Sequence, residues 1–273
     1  MTIDLDAYLL RIGHAGGRAP TLDTLRAIQA RHTDAIAFEN LNPLLKLPVR
    51  LDVESLQRKM VQGRRGGYCY EQNILLSHAL HALGFKVTGL AARVLWNAAV
   101  AGAIPPRTHM LLRVDLGGQP WLVDAGFGVM TPTGPLQLKA DEEQATPHEA
   151  FRLLADRDEF LMQTKIRDEW RSLYRFDLQA QLLPDYELAN WYVSTHPESR
   201  FVNELMVARP APGRRYTLLN NEFTVHHLKG GIERRLLAST AEIRALLEGE
   251  FKLNLPDTPE LDSALRRIIA AAR

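Results

Sequence analysis

The apolar residues of this chain change period at Gly84, and that change limits the possible folds more than any other feature of the sequence. Before it the pattern is helical. Leu5, Leu9 and Ile12 share one helix face that Gly13 ends, and Thr21 is placed to cap a helix striped by Leu22, Leu25 and Ile28. Asp52 is placed to cap a third helix bearing Val53, Leu56 and Met60. Ile74, Leu75, Leu76, Ala79, Leu80 and Leu83 repeat at three- and four-residue steps until Gly84 stops them. After Gly84 the period is two. Lys86 to Leu95 is rich in strand formers and runs into a loop from Trp96 to Thr108 that holds Pro105 and Pro106. His109 to Leu116 then turns through Gly117 and Gly118 into Trp121 to Asp124, which predicts a β-hairpin. Further short strands at Phe151–Leu154, Glu159–Lys165 and Glu169–Phe176 predict a barrel or curled sheet. Residues 177–209 read as irregular. A hairpin at Asn220-Asn221, a helix capped by Thr240 and a last helix opened by Thr258-Pro259 complete the chain. Helices, then strands, then a mixed tail describe an α+β protein in about three parts.

Composition enters where it excludes classes. With 273 residues and 46% apolar content the chain is long enough for one large domain or two to three small ones. A net charge of +1 argues against nucleic acid or an anionic membrane as partner. No apolar run approaches the roughly 20 residues that span a bilayer. The acidic N-terminus has no basic-then-apolar segment, so no signal peptide is expected. One cysteine excludes an intrachain disulfide framework and any multi-cysteine metal site, and this usage fits a reducing cytoplasm.

That cysteine lies in Arg65-Gly66-Gly67-Tyr68-Cys69-Tyr70-Glu71-Gln72-Asn73, between two glycines and the start of a helix. A helix N-terminus presents unpaired N–H groups and the positive end of the macrodipole, and both favour a thiolate, the nucleophilic form. The plainer reading is a buried structural cysteine. A thiol nucleophile wants a base and an orienting group, and nine histidines are available. His14, His32 and His148 lie among polar or loop residues and are expected to be solvated. His78 and His81 are three apart on one helix, but no other ligand set accompanies them, so no metal is expected. His226 and His227 point to opposite faces of a strand. His109 opens a strand at the rim of a cleft. The next strand ends in Asp124, an acid after the apolar run Trp121-Leu122-Val123 that needs a partner if buried. Counted from the turn, Asp124 lies six residues past Gly118 and His109 eight before Gly117, a mismatch of two that a bulge or longer turn would absorb. Cys69, His109 and Asp124 together would make a Cys-His-Asp triad.

The cysteine segment resembles the active-site motif of the arylamine N-acetyltransferases. Three other segments match that family in the same order: Ile36-Ala37-Phe38-Glu39-Asn40-Leu41, His109-Met110-Leu111-Leu112-Arg113-Val114, and Trp121-Leu122-Val123-Asp124-Ala125-Gly126-Phe127-Gly128. Asn190-Trp191-Tyr192-Val193-Ser194-Thr195-His196-Pro197, with Ser199 and Phe201, is also similar. The resemblance covers about residues 5–205. One departure is Ala37, where the family usually has proline; it bears on local rigidity and not on chemistry. The resemblance implies a helical first domain carrying the nucleophile (1–85), a central β-barrel carrying the histidine and aspartate (86–190), and an interdomain segment with an α/β lid (191–273), built round a cysteine-protease-like Cys-His-Asp core. It maps the catalytic triad onto Cys69, His109 and Asp124.

The implied activity is transfer of an acetyl group from acetyl-CoA to an arylamine or arylhydrazine, ping-pong, through an acetyl-cysteine, in xenobiotic metabolism. Acetyl-CoA is then a co-substrate, with no tightly bound cofactor and no metal, and the protein a monomer or weak homo-oligomer. Phe38 and Phe201 are expected in the substrate pocket. Gly126, Phe127 and Gly128 either meet the substrate ring or let backbone approach CoA, with Phe127 as plain core the alternative. Arg65 and Glu39 either pair to brace the active-site helix or are each solvated. Two rival readings stand beside this one: a papain-like or transglutaminase-type acyl hydrolase or transferase with the same triad, and a non-catalytic binding protein on the same fold.

Overall fold

The computed structural model describes residues 2–97 and 104–271. Its first part is built from capped helices. Asp4 caps α1 (Leu5–Arg11) through the Ala7 N–H at 3.0 Å, and Thr21 caps α2 (Leu22–Ala35). β1 (Phe38–Glu39) and α3 (Leu41–Leu44) follow, then α4 (Val53–Leu56), capped by Asp52 through the Ser55 N–H at 2.9 Å. α4 runs on into a π-helical stretch, Gln57–Gln62, which the sequence pattern did not predict. α5 (Cys69–Ala82) begins on the cysteine itself. Just past α5, Gly84 has φ +85°, a left-handed conformation that glycine adopts at little cost and that ends the helix.

Eight antiparallel strands form the larger sheet: β2 (Lys86–Val94), β3 (Arg107–Leu116), β4 (Gln119–Val123), β5 (Leu136–Gln137), β6 (Gln144–Ala145), β7 (Ala150–Asp156), β8 (Glu159–Ile166) and β9 (Glu169–Phe176). Their order is β5-β4-β3-β2-β9-β8-β7-β6, so the two ends are the two shortest strands. The sheet curls into a nearly closed barrel filled by Leu90, Leu111, Leu122, Phe151, Met162 and Phe176. Its ends meet through a side chain. Gln144 accepts the Gln137 N–H at 2.7 Å and donates to the Gln137 carbonyl at 2.9 Å. A side-chain amide thus supplies the acceptor and donor that a neighbouring strand would offer, and the sheet edge is not left open.

The segment read as irregular, 177–209, is largely ordered into elements: α6 (Leu183–Thr195), α7 (Arg200–Asn203) and the start of β10 (Met206–Ala211). The buried face of α6 is Tyr186, Asn190 and Val193, a helical spacing with a polar residue at its centre, while Leu188 and Trp191 face outward. That inversion of the usual pattern hid the helix. β11 (Arg214–Leu219), β12 (Glu222–His227) and β13 (Ile232–Leu236) complete a second sheet in the order β1-β10-β11-β12-β13, with α8 (Thr240–Gly249) and α9 (Pro259–Ala271) packed with it. α8 is capped by Ser239, one residue before the predicted Thr240. β1 pairs Phe38 with Ala208 and Glu39 with Val207, so the first third of the chain supplies an edge strand to the last. β3 starts at Arg107, two residues earlier than predicted, and residues 98–103 of the predicted loop lie outside the described residues. Among the described residues no helix is long and apolar enough to cross a membrane.

Replacing Gln144 with alanine removes both seam hydrogen bonds. It should cost about 1–2 kcal/mol and lower the thermal midpoint by a few degrees, measurable by calorimetry.

Candidate active site

Cys69 is the first residue of α5, and its Sγ lies 3.6 Å from the Thr108 carbonyl. β3 bulges at that residue: Ala92 pairs with His109 and Arg93 with Arg107, leaving Thr108 without a partner on β2. A bulge re-aims the neighbouring side chain, and Cys69 is one of the neighbours that favour charge on His109. The His109 ring nitrogen Nε2 lies 2.7 Å from Asp124 Oδ2.

The hairpin register shows how the histidine and the acid meet. β3 and β4 pair Leu112 with Val123 and Leu116 with Gln119, with no bulge between them. Extended outward, this register puts His109 opposite Gly126, so the mismatch of two remains. It needs no absorbing, because side chains alternate with a period of two and both residues fall on one face as a diagonal pair.

Asp124 is 1% exposed, and burial alone would push its carboxyl up. His109, the Gly126 N–H at 2.8 Å and Asn73 Nδ2 at 3.1 Å outweigh that and hold it below the usual range. Burial likewise opposes charge on His109, but the adjoining carboxylate wins and raises its pKa to about 10. Asn73 also donates to the Met110 carbonyl at 2.7 Å and accepts the Ala125 N–H at 2.9 Å, tying α5 to both strands. The Tyr174 ring is 5.0 Å from that of His109, and it too follows a bulge, at Leu173 on β9. Neither Asn73 nor Tyr174 was singled out from the sequence. Asn73 had a readable clue, since it lies four residues after Cys69 and so on the same helix face. Tyr174 had none.

A second buried charge cluster lies behind the helix start. Arg65 donates to Glu39 Oε1 from Nη2 at 2.8 Å and Nε at 3.1 Å, so the two residues form a pair and are not separately solvated. Lys59 Nζ sits 2.7 Å from Glu71 Oε1 and 3.8 Å from Glu39 Oε1. Glu71 also accepts the Tyr68 N–H at 3.2 Å, and Glu39 the Leu41 N–H at 2.6 Å. Burial raises both carboxyls. At Glu39 the two cations overcome it and the pKa falls; at Glu71 burial prevails and the pKa stays raised.

Gly66 and Gly67 do not adopt a left-handed conformation, so backbone dihedrals alone do not require glycine there. Their role is close approach. A Cβ on Gly66 would sit 2.1 Å from the Ala37 carbonyl oxygen, and one on Gly67 would sit 2.8 Å from Glu71 Cβ. They leave room for protein and not for a ligand. Gly126 is packed just as closely, with its missing Cβ 2.5 Å from Cys69 Cα and 2.9 Å from Asn73 Nδ2.

The residues predicted for substrate fall into two groups, one around Phe38 and one beside His109. Gly128 packs on the Phe38 ring, Phe38 meets Phe201 with centroids 6.2 Å apart, and Phe127 lies 5.2 Å from His109. Phe38, Phe127 and Phe201 are each half-buried, so each also offers surface.

Two histidines expected to be solvated are not. His32 is fully buried, with Nδ1 2.8 Å from the Tyr8 hydroxyl and Nε2 2.7 Å from Gln72 Oε1. Burial lowers its pKa to about 4, so it is neutral and fixes the Gln72 amide. Gln72 in turn donates to the carbonyls of Ile36, Ala37 and Gly67. His148 bridges the two sheets, with Nε2 2.9 Å from the Ala211 carbonyl and Nδ1 3.2 Å from Thr133 Oγ1. Among the described residues no group of histidine, cysteine and acidic side chains is arranged to hold a metal.

A family model described as N-acetyltransferase matches residues 21–260. The arylamine N-acetyltransferase of Mycobacterium tuberculosis is 42% identical over 271 residues, which cover 98% of this chain and 95% of that protein. That of Escherichia coli is 40% identical over 258 residues, 94% of this chain and 91% of that one. Among solved structures, Mycobacterium marinum arylamine N-acetyltransferase in complex with CoA superposes with a TM-score of 0.93 at 41% identity, over 97% of this chain and 99% of that one.

Gly126→Ala tests the close contact at Cys69. The added methyl has backbone against it, so it should cost about 1–3 kcal/mol and lower the thermal midpoint by several degrees. An unchanged midpoint would show that the loop yields without strain.

Proposed function

The chain belongs to the arylamine N-acetyltransferase family, and on that footing we propose that it moves an acetyl group from acetyl-CoA to the nitrogen of an arylamine or arylhydrazine by way of a thioester on Cys69. The observation that supports this reading most is an imidazole held 2.7 Å from a buried carboxylate, next in sequence to the Thr108 carbonyl that the chain's one thiol reaches at 3.6 Å.

In this mechanism Asp124 orients His109 and favours its protonated form, so the Cys69 proton passes to His109. The thiolate attacks the carbonyl carbon of acetyl-CoA, and backbone N–H groups at the start of α5 hold the oxyanion. The bond from carbon to the CoA sulfur breaks, and the imidazolium proton follows the leaving sulfur. One thioester replaces another, so this half-reaction is nearly balanced in energy. CoA departs and the amine nitrogen attacks the acetyl-cysteine. Neutral His109 takes the amine proton as general base, the bond from carbon to Cys69 Sγ breaks, and the thiolate–imidazolium pair is restored. The half-buried rings of Phe38, Phe127 and Phe201 give an aromatic acceptor a surface to lie on, with Gly126 and Gly128 shaping the loop between them. Arg65 and Glu39 hold the helix start. Acetyl-CoA acts as co-substrate, and this chemistry needs no metal.

Mixed with acetyl-CoA alone, the protein should release one equivalent of CoA in a burst and gain an acetyl group on the Cys69 peptide by mass spectrometry, while Cys69→Ser does neither. Unmodified wild-type protein after that incubation would rule the scheme out.

The pair also predicts a pH dependence of stability. His109 has a folded pKa of about 10, against 6.5 for an unperturbed imidazole. Stability from a raised pKa is complete below the unfolded value and is lost as pH rises through the folded one. Asp124→Asn lacks the carboxylate that raises this pKa. The stability gap between wild type and variant, from denaturant melts, should therefore shrink from about pH 6.5 towards about pH 10. A gap that stays constant across that window would show that His109 is not held charged by Asp124.

A further inference from the structure

We propose that the protein carries a second ligand site, for a small polyanion such as a diphosphate group, in a cleft on the far side of α5 from Cys69. The cleft encloses about 450 Å³ between the π-helical stretch, the loop at Pro48 and the segment Asn254 to Pro256. That volume is within the range of small-molecule sites. Each helical residue turns about 100°, so Glu71, two residues after Cys69, faces nearly opposite the thiol. It is Glu71 that lines this cleft.

The charge of the walls sets the ligand class. Arg50, Arg58, Lys59 and Arg65 line the cleft against one carboxylate, Glu71. The inner pair of cations is already answered. Lys59 neutralises Glu71, which also accepts the Tyr68 N–H, and Arg65 neutralises Glu39 behind it. The outer pair is not answered in the same way. Arg58 shares a 2.6 Å contact with Glu54 on the surface, where both side chains are at least half exposed, and such a pair is worth little. Arg50 is exposed and makes no ion pair among the described residues. Two guanidinium groups thus stand at the mouth above a floor held at neutrality by Lys59 and Arg65. Guanidinium forks match phosphate oxygens two at a time, and the paired Lys59 and Glu71 below leave no net negative charge against them. Cations outnumber the one lining carboxylate, which sets this cleft apart from the aromatic rings near the triad.

The test is calorimetric titration of inorganic pyrophosphate, at low ionic strength, into full-length protein held in saturating CoA so that any site for CoA phosphates is already filled. Saturable one-site binding is expected, weakened about tenfold or more in Arg50→Ala/Arg58→Ala, which loses two charge-assisted contacts. Both positions are exposed and outside the acetyl-transfer machinery, so the CoA burst of the double variant should match wild type. The proposal is overturned if pyrophosphate does not bind at millimolar concentration, if CoA abolishes its binding, or if the double variant binds it as wild type does. Binding is read without turnover, so the outcome is independent of whether Cys69 accepts an acetyl group.

Discussion

A carboxylate that is 1% exposed is costly unless its oxygens are satisfied, and the site is organised around meeting that demand at Asp124. One oxygen takes the imidazole, and the other takes the Gly126 N–H and the Asn73 amide. These donors come from β3, from the turn after β4 and from α5. The helix carrying the thiol and the strands carrying the histidine therefore cannot separate without stranding a buried charge. Gln29, from α2, adds a hydrogen bond to the Asp124 carbonyl at 3.2 Å. The interaction that sets the charge of His109 is thus also one that fixes helices to barrel.

The start of α5 depends on a second arrangement of the same kind. Glu71 and Glu39 are buried carboxylates held by Lys59 and Arg65, and both also bind backbone N–H groups at element starts. Gly66, Gly67 and Gly126 allow the packing that this requires, since each would place a Cβ within 3 Å of a neighbour. The backbone around Cys69 is held from three sides, and the thiol is positioned by its neighbours' lack of side chains as much as by their presence. Preorganisation of this sort is what a site needs if binding is not to be spent on ordering it.

Much of the architecture was legible in the sequence, and the residues show why. Thr21 and Asp52 cap helices as their positions predict, because a cap is a local interaction between a side chain and an N–H three residues on. The hairpin turn at residues 117–118 and the strands from 150 to 176 follow from period-two patterning. α6 escaped notice because its inward face centres on Asn190, whose amide is satisfied by the Val49 carbonyl and the Tyr68 hydroxyl, partners more than a hundred residues away. The burial of His32 is hidden for the same reason. Its neighbours in sequence are polar, while its partners in space, Tyr8 and Gln72, lie on other helices. A two-residue strand such as β5 has no periodicity to read, and its pairing at the seam depends on a single glutamine side chain.

The sequence by itself determined the class of fold and the chemical types in play: one thiol at a helix start, a histidine and an acid on adjoining strands, and aromatic residues near glycines. Those are properties of patterns a few residues long. Tertiary structure alone decided that the strand register makes His109 and Asp124 a diagonal pair, that the bulge at Thr108 brings β3 up to Cys69, and that Lys59 and Tyr174 come close to the site. These depend on which of many possible distant partners satisfies a buried charge or a backbone group. That choice is made by the whole chain when it excludes water, and no short segment carries it.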